Sequence, residues 1–362
     1  MRILHIISSP AAGGAEIYIK DLAKALTQKG LTIYIGFLNR ASDFGRSIEF
    51  EKNFLSELSE AGIKYFFIGN QARKNPLSGM LRVRKYCREH NIDIYHSHLK
   101  FGIIFGVSLK IPRIYTHHNI VPEVSMYLYN VFNLFVESYV GISPVCADKL
   151  AQYTGRSVTT IMNGVDQTKL FPYLSQRNSG AALIQCIAVG RIQPQKNYKL
   201  LIEALRLVPA DISKLLRVFI AGEGPAELTK ELEDLIAHYG LSNTVSLLGN
   251  RSDIPQLLGK SQVFLMTSAW EGLPIALIEA TLSGLPCIVT NVGGCSEVIN
   301  ACQNGFVVDP NNPEAFADAI CEVVETPDLL AKLSSNALNN SVEFTIDHAA
   351  DGHIALYRSL AI

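Results

Sequence analysis

The sequence predicts an α/β protein with two doubly wound domains, each built on a parallel sheet. Three observations support this. The 362 residues suffice for two domains at roughly 150 residues each. Short β-rich runs alternate with longer segments of helical period, which is the pattern of βαβ units. A polar, turn-rich segment at 163–180 separates two such series, so we place the domain boundary after residue 170.

The first domain, 1–170, and the second, 171–345, are expected to hold seven and six strands. The predicted strands are 2–7, 31–38, 64–68, 92–96, 113–117, 139–142, 158–161, 183–189, 216–221, 245–248, 263–266, 286–290 and 306–308. A helix follows the first strand because Ile19, Leu22 and Leu26 share one face, and Gly30 is typical of a helix end. The last segment, 346–362, is predicted to form a helix that packs back onto the first domain.

Composition and charge exclude several classes of protein. Hydrophobic residues make up 48% and charged residues 18%, which is untypical of disordered chains and coiled coils. Residues 1–170 carry 20 Lys and Arg against 13 Asp and Glu, whereas the remainder carries 12 against 20. This asymmetry indicates that the first domain faces something anionic, although the overall charge of −1 disfavours a dedicated nucleic-acid binder.

The seven cysteines are scattered and include no C-x-x-C pair, which favours a reduced, cytoplasmic protein. The apolar run near the N-terminus is too short for a signal peptide, and we interpret it as a first strand. No stretch approaches the ~18 apolar residues that would span a bilayer. We therefore expect a cytoplasmic protein, either free or peripheral on the inner face of the cell membrane.

The most informative motif lies at 268–280, Ser-Ala-Trp-Glu-Gly-Leu-Pro-Ile-Ala-Leu-Ile-Glu-Ala. Gly272 permits a tight turn after a buried strand, and Pro274 suits the first position of a helix whose free N–H groups would bind an anion. The helix axis advances about 7.5 Å from Pro274 to Glu279, comparable to a diphosphate between two sugars. Glu271 could then bind hydroxyls of one sugar, and Glu279 those of a ribose. Alternatively, the two glutamates only complement the helix dipole.

A second motif lies between the strand at 183–189 and the helix at 198–207. Arg191 and Lys196 follow the strand there, and together they could neutralise a diphosphate. The alternative is a pair of solvated surface cations. A third motif, Gly13-Gly14, ends the first strand and would let backbone approach an anion closely, although it could equally be only a turn.

Histidines end two strands of the first domain that we expect to be neighbours. His96 and His98 lie at the end of one strand, and His117 and His118 lie at the end of the other. Strand alternation sends His117 and His118 to opposite sides, so we expect at most one of them to face a substrate, and a structural role for any of these rings is an equal alternative. The sequence contains no D-x-D motif of the kind that holds a metal-bound diphosphate, so we predict no required metal.

These motifs together resemble the retaining glycosyltransferases of family 4, which have the GT-B fold. The shared motifs span most of the chain and are Gly-Gly-Ala-Glu at 13–16, Thr-x-His at 116–118, Asn-Gly-Val-Asp at 163–166, Gly-Arg at 190–191, Lys-Asn at 196–197, Gly-Glu-Gly-Pro at 222–225 and Glu271-x7-Glu279. The resemblance implies two Rossmann-like domains facing a central cleft. It also implies a hexosyltransferase (EC 2.4) that retains anomeric configuration and requires no cofactor beyond its nucleotide-sugar substrate.

The resemblance further implies a role for individual residues. Arg191 and Lys196 would hold the donor diphosphate, Glu279 the ribose and Glu271 the transferred sugar. His118 would be the active-site histidine of the first domain. Further positions near the donor would be Gly14, Arg251 in the loop that lines the nucleobase pocket, and the backbone of Gly272, Leu273 and Ile275.

The partners are less defined by the sequence. A UDP-sugar is the expected donor, with GDP-sugar or ADP-sugar as alternatives. The expected acceptor is a saccharide, lipid-linked, in bacterial surface polysaccharide or glycan synthesis. A basic group at 73–88 and an aromatic-rich stretch at 126–139 suit docking on an anionic membrane, or else form a solvated helix and a packed core. Three alternatives stay open: a soluble acceptor, conversion of the nucleotide-sugar in place, and a non-catalytic binding module. The sequence does not define the linkage or the oligomeric state.

Overall fold

A computed structural model describes residues 1–45, 47–122, 124–176 and 183–361, apart from the side chain of Phe44. The chain divides into two compact units, one formed by residues 1–164 with the C-terminal helix and one by residues 165–345. Residues 177–180 of the predicted linker lie outside the described residues. The boundary between the units lies after residue 164, six residues before the predicted one. Val165 belongs to the second unit because its N–H donates to the carbonyl of Phe344 (3.0 Å) and it forms a β-bridge with Thr345.

The first unit contains a seven-stranded parallel sheet in the order β3-β2-β1-β4-β5-β6-β7. Its strands are β1 (Arg2–Ile7), β2 (Thr32–Phe37), β3 (Lys64–Phe67), β4 (Ile94–Ser97), β5 (Arg113–His117), β6 (Ser138–Gly141) and β7 (Val158–Thr160). The helices around it are α1 (Gly14–Gln28), α2 (Ile48–Glu60), α3 (Gln71–Lys74), α4 (Pro76–Glu89), α5 (Lys100–Gly106), α6 (Met126–Phe132) and α7 (Pro144–Thr154). β1 is almost wholly buried, as expected of a central strand between two helical layers.

The second unit contains a six-stranded parallel sheet in the order β10-β9-β8-β11-β12-β13. Its strands are β8 (Ile184–Val189), β9 (Leu216–Ala221), β10 (Val245–Gly249), β11 (Val263–Met266), β12 (Cys287–Thr290) and β13 (Gly305–Val308). Its helices are α8 (Tyr198–Leu207), α9 (Ala210–Ser213), α10 (Ala226–His238), α11 (Ile254–Lys260), α12 (Ile275–Leu282), α13 (Cys295–Cys302), α14 (Pro313–Glu325) and α15 (Pro327–Asn340). A single apolar cluster packs α8, α10 and α14 onto this sheet.

The last helix, α16 (Ile346–Leu360), belongs to the first unit and packs against α1. Its buried residues include His353, Ile354 and Tyr357, which lie along one face at helical spacing. The Tyr18 hydroxyl is hydrogen-bonded to Nε2 of His353 (3.1 Å), and Nζ of Lys29 pairs with Asp351 (2.7 Å). The Tyr357 hydroxyl also lies 3.5 Å from Nε2 of His5, so residues about 350 positions apart in the sequence meet in the first unit.

The two sheets confirm the predicted α/β fold class with two doubly wound domains. Every predicted strand is present, with bounds shifted by at most two residues. In both sheets the strand order reverses beside the first strand of the unit, β1 or β8, and open α/β sheets bind ligands at such a reversal. Ligand sites are therefore expected at the loops after β1 and β4 in the first sheet, and after β8 and β11 in the second.

All seven cysteines carry free thiols, and six of them are buried. Burial raises the pKa of several of these thiols, including Cys87 to about 12. Among the described residues, no helix is both long enough and apolar enough to cross a membrane.

Candidate active site

The loops after β8 and β11 lie side by side at the strand-order reversal of the second unit. The N–H of Ala269 donates to the carbonyl of Gln195 (2.7 Å), and the hydroxyl of Thr267 donates to the carbonyl of Lys196 (3.1 Å). The structure thus brings together the motifs around Lys196 and Glu271, which are separated by about 75 positions in the sequence.

Glu271 is the centre of this arrangement. Its side chain is buried, and its Oε1 accepts from Nζ of Lys196 (2.5 Å) and from the hydroxyl of Ser268 (2.8 Å). Its Oε2 accepts from Nε2 of Gln195 (3.4 Å), which also donates to the carbonyl of Trp270 (3.1 Å). A buried carboxylate requires such partners, since desolvating it alone costs several kcal/mol. Sequence reasoning did not identify Ser268 and Gln195, although both flank the motifs that it singled out.

A glycine pair after β12 supports the Glu271 loop. Gly293 has a φ of +52°, and a Cβ there would lie 2.0 Å from the carbonyl oxygen of Glu271. The N–H of Gly294 donates to the carbonyl of Gly272 (2.7 Å). Only glycine fits such a close approach of two backbones. This pair was not predicted from the sequence, although a Gly-Gly after a predicted strand, as at positions 13–14, was a signal for it.

The helix α12 begins one residue later than predicted. Pro274 has a φ of −74° and a ψ of 122°, so it is the extended N-cap residue and not the first helical residue. Leu273 before it is buried, while Gly272 and Ile275 are half-buried. Glu279 lies inside α12 and is half-buried, as the predicted helix requires. The helix α12 thus begins four residues after Glu271 in the chain.

Arg191 leaves β8 beside a second close backbone contact. Gly222 has a φ of +156°, and a Cβ there would lie 2.0 Å from the carbonyl oxygen of Gly190. The N–H of Ile192 donates to the carbonyl of Glu223 (2.9 Å), which fixes the loop. Arg191 itself is exposed, and within the described part of the chain it has no ion pair, so its guanidinium is available to an anion.

Arg251 lies in the loop after β10 and makes a bidentate pair with Asp253, at 2.8 and 2.6 Å. This pair holds the pKa of the Asp253 carboxyl below its ordinary value, chiefly through the hydrogen bond from Arg251. The structure contains no contact between Arg251 and the Glu271 cluster among the interactions that it describes. Its expected contact with a nucleobase stays a prediction.

Gly14 and His118 belong to the first unit, and the remaining predicted site residues belong to the second. Gly14 is the first residue of α1, and Gly13 is its N-cap with no side-chain cap. Glu16 in the first turn is hydrogen-bonded to the hydroxyl of Ser8 across the loop. The hydrogen bond between Ser8 and Glu16 therefore ties together the two ends of the loop after β1.

Strands β1 and β4, together with the residues that directly follow β4 and β5, bring four histidines together. His5 and His96 are register partners on β1 and β4, so their side chains share one face of the sheet. Nδ1 of His5 is hydrogen-bonded to Nε2 of His98 (2.9 Å), and Nδ1 of His98 to Nε2 of His118 (2.9 Å). His117 turns the other way and contacts the hydroxyl of Tyr115 (3.1 Å). The histidine that joins the cluster is therefore His118.

Two hydroxyl groups extend this cluster. The Tyr357 hydroxyl lies 2.8 Å from Nδ1 of His96 and 3.5 Å from Nε2 of His5, and the Thr116 hydroxyl lies 2.7 Å from Nε2 of His96.

Burial lowers the pKa of His5 and of His118 to about 3, and the neighbouring rings add to the effect on His118. These rings are consequently neutral at physiological pH. Sequence reasoning missed His5, His353 and Tyr357, because a single histidine in a strand or helix carries no signal.

His5, His96 and His98 form a group that could hold a metal ion, since one ring nitrogen of each lies within 4.8 Å of the others. All six of their ring nitrogens already have hydrogen-bond partners within the first unit. A cation would have to displace these hydrogen bonds. The cluster is therefore a hydrogen-bonded network.

Two family models match the chain one after the other. The model described as Glycosyltransferase Family 4 matches residues 12–169, and that described as Glycosyl transferases group 1 matches residues 177–340. The chain is similar to the UDP-Gal:alpha-D-GlcNAc-diphosphoundecaprenol alpha-1,3-galactosyltransferase of Escherichia coli, with 26% identity and coverage of 85% of this chain and 87% of that protein. It is also similar to the D-inositol 3-phosphate glycosyltransferase of Corynebacterium urealyticum, with 24% identity and coverage of 96% and 91%.

Among solved structures, the chain resembles Anabaena HepE in complex with UDP, with a TM-score of 0.84, 24% identity and coverage of 99% of this chain and 100% of HepE. HepE has also been solved with UDP-glucose. This likeness shows a GT-B fold. With both halves matched by glycosyltransferase models, the chain belongs to the group 1 and family 4 glycosyltransferases, and it is an enzyme of that class.

Proposed function

We propose that the enzyme transfers a sugar, with retention of configuration, from a UDP-sugar to a saccharide on a lipid carrier, without a metal ion. The observation that carries this proposal is the Lys196–Glu271 pair at 2.5 Å. A diphosphate bound to Lys196 brings its attached sugar next to the Glu271 carboxylate, which can accept hydrogen bonds from sugar hydroxyls.

The surroundings of the pair suit departure of a nucleoside diphosphate. Arg191 and Lys196 supply positive charge, and the N–H groups at the start of α12 add a partial positive charge. Such preorganised groups stabilise the charge that develops on the leaving phosphate. In this proposal Glu279 binds the ribose, and the backbone of Gly272, Leu273 and Ile275 adjoins the sugar and phosphates. The leaving phosphate accepts the proton of the attacking hydroxyl.

The first unit contributes two residues to the proposal. His118 contacts the transferred sugar, and the loop ending at Gly14 approaches the phosphates and the acceptor. Arg251 adjoins the nucleobase. UDP is the preferred nucleotide of the donor because the similar Escherichia coli protein is named for a UDP-Gal donor and HepE was solved with UDP.

A thermal-shift panel tests the donor site. UDP, GDP and ADP are added to the wild type with and without EDTA, and a nucleotide at 100 times its Kd should add about 2.7 kcal/mol to the free energy of unfolding. UDP is expected to stabilise the protein in both conditions. Stabilisation that disappears with EDTA would contradict metal independence, and no response to any nucleotide would contradict the donor site.

Arg191→Ala should weaken UDP binding at least about tenfold, because it removes a charge-assisted hydrogen bond to phosphate. Lys199→Ala is the matched control: Lys199 is an exposed cation in α8 that pairs with Glu203 at 3.8 Å. If both substitutions weaken UDP binding equally, the effect is general electrostatics and not a phosphate site.

The acceptor part of the proposal rests on an exposed apolar surface around α6. Its members are large hydrophobic side chains that are 40–84% exposed, and they are Val121, Met126, Tyr127, Leu128, Val131 and Leu134. Tyr129 and Phe132 on the same helix are buried, so only part of the predicted aromatic stretch is core. The same unit carries exposed cations on α4, including Arg84 and Lys85. Apolar and basic groups together favour an anionic membrane at the cytoplasmic face, where a lipid-linked acceptor would lie.

Vesicle flotation tests this surface. The wild type should float with vesicles containing anionic lipid, and Leu134→Asp should reduce the bound fraction several-fold. Val342→Asp is the control, since Val342 is equally exposed, at 70% against 74%, but belongs to the second unit. Absence of flotation for the wild type would favour a soluble acceptor instead. The similarity to a D-inositol 3-phosphate glycosyltransferase supports that second candidate, because inositol phosphate carries no lipid.

A further inference from the structure

Three histidines of the first unit form an uninterrupted hydrogen-bonded row. His118 contacts His98 through Nε2, and His98 contacts His5 through its own Nε2, each at 2.9 Å. His5 is fully buried and His98 is 8% exposed. The ring of His5 lies nearly parallel to that of His98, at an interplanar angle of 13°. The row therefore anchors His118 to the centre of the sheet.

The proton positions along this row are coupled. Each buried ring is neutral at physiological pH and so carries one N–H. Each of the two hydrogen bonds needs one donor and one acceptor nitrogen. If His118 is protonated on Nε2, His98 must be protonated on Nε2 as well, and so must His5. If one ring is protonated on Nδ1, all three must be.

The surroundings of His118 distinguish these two states. Its Nδ1 is enclosed and has no hydrogen-bond partner within the described structure. A proton on Nδ1 would leave a buried N–H unpaired, which is rarer and costlier than an unpaired acceptor. The row is therefore expected to hold the proton of His118 on Nε2 and to leave Nδ1 as a lone pair.

We propose that His98, anchored by His5, is a positioning residue that fixes the Nε2–H tautomer and ring orientation of His118, the residue that contacts the transferred sugar in the proposed function. The ligand part of this inference rests on the proposed function, in which His118 contacts the donor sugar. The tautomer part concerns the resting protein alone.

Two substitutions of His98 separate its two hydrogen bonds. The amide of Asn reaches the position of Nδ1, so His98→Asn keeps the contact with His118 and loses that with His5. The amide of Gln reaches one bond further, so His98→Gln keeps His5 and loses His118. Nitrogen-15 NMR of histidine-labelled protein reports which ring nitrogen of His118 is protonated, with His118→Asn identifying its signals.

The wild type should show His118 protonated on Nε2, and His98→Asn should preserve that signature. His98→Gln should show mixed tautomers and lower kcat about tenfold, about 1.4 kcal/mol, with KM changed less than about twofold. His353→Phe controls for general damage to the cluster, since His353 is also buried but is hydrogen-bonded to Tyr18 and not to His118. A wild-type His118 protonated on Nδ1, or an unchanged tautomer in His98→Gln, would overturn the inference.

Failure of the proposed function is recognised separately. If His118→Ala leaves the transfer rate unchanged, His118 does not contact the donor sugar, and the ligand part of the inference falls with it. The NMR spectra of the unliganded protein still decide whether His98 controls the tautomer. A merely structural His98 would change the melting temperature in both His98 variants without moving the His118 tautomer.

Discussion

The two units place their polar centres at the same topological position but build them from different chemistry. In the first unit, beside β1 and β4, the centre is a row of neutral imidazoles and hydroxyls. In the second, beside β8 and β11, it is a carboxylate and an ammonium group, Glu271 and Lys196, with Ser268 and Gln195. One fold thus supports an uncharged network in one unit and an ion pair in the other.

The difference teaches how burial treats ionisable groups. Histidines gathered without a carboxylate lose their charge, because desolvation disfavours imidazolium and each neighbouring ring would repel it. Glu271 keeps a cationic partner at 2.5 Å and so keeps a site for charged ligands. We therefore expect the first centre to respond to pH and tautomer, and the second to respond to loss of charge.

Removing the Glu271 carboxylate should have the largest effect. Glu271→Ala is expected to lower kcat/KM with UDP-sugar about 100-fold or more, because it removes the sugar contact and leaves the Lys196 ammonium without its partner. Steady-state kinetics measures this. Glu203→Ala is the control, since Glu203 pairs with Lys199 in the same unit at 3.8 Å. Equal losses in both variants would mean that the second centre is not the donor site.

Acidification should act on the first centre. His5 and His353 have pKa values of about 3 in the folded protein against 6.5 in the unfolded chain. Between these values the unfolded chain binds more protons, so this stability is present above pH 6.5 and is lost as the pH falls toward 3. Each such histidine should cost about 1.4 kcal/mol of unfolding free energy at pH 5.5.

Denaturant unfolding at pH 7.5 and 5.5 measures this loss. His353→Phe should reduce the difference between the two conditions by about 1.4 kcal/mol, because the variant has one fewer group to protonate. His238→Phe, at an exposed position of the second unit, is the control. A wild type equally stable at both pH values would show that the cluster opens to solvent.

Backbone support of the second centre should have a smaller effect. Gly293→Ala is expected to destabilise the protein by about 1 kcal/mol more than Gly240→Ala. Both positions have positive φ, but an added Cβ would lie 2.0 Å from the carbonyl oxygen of Glu271 at position 293 and would meet no atom within 4 Å at position 240. Thermal unfolding of the two variants compares them. The Gly293 variant should also lose activity through displacement of Glu271, and full activity would show that the loop moves without consequence.

The smallest effect is expected at the exposed Arg251–Asp253 pair. Arg251→Ala should leave the melting temperature unchanged, because water and salt screen such surface pairs. Isothermal titration with UDP should instead show weaker binding if Arg251 adjoins the base. A clear loss of stability would show that this exposed pair stabilises the fold as a buried pair does.

The sequence predicted the strands of both units, since alternation of β-rich and helical segments is a local property. It also identified Lys196 and Glu271, because each follows a strand and precedes a helix. It did not predict that Pro274 would cap α12 from outside, since one ψ angle decides between the two positions. Nor did it predict Gly293 as a support, because that role depends on the neighbouring loop.

The sequence by itself determined the fold class and the family to which the motifs belong. It also determined that polar residues lie at the carboxyl ends of strands in both domains. Only the tertiary structure decided which of His117 and His118 joins the cluster, and that α16 brings Tyr357 within 3.5 Å of His5. The physical reason is range: secondary structure follows from neighbours along the chain, whereas a buried proton network is set by residues that parallel pairing and helix packing bring together.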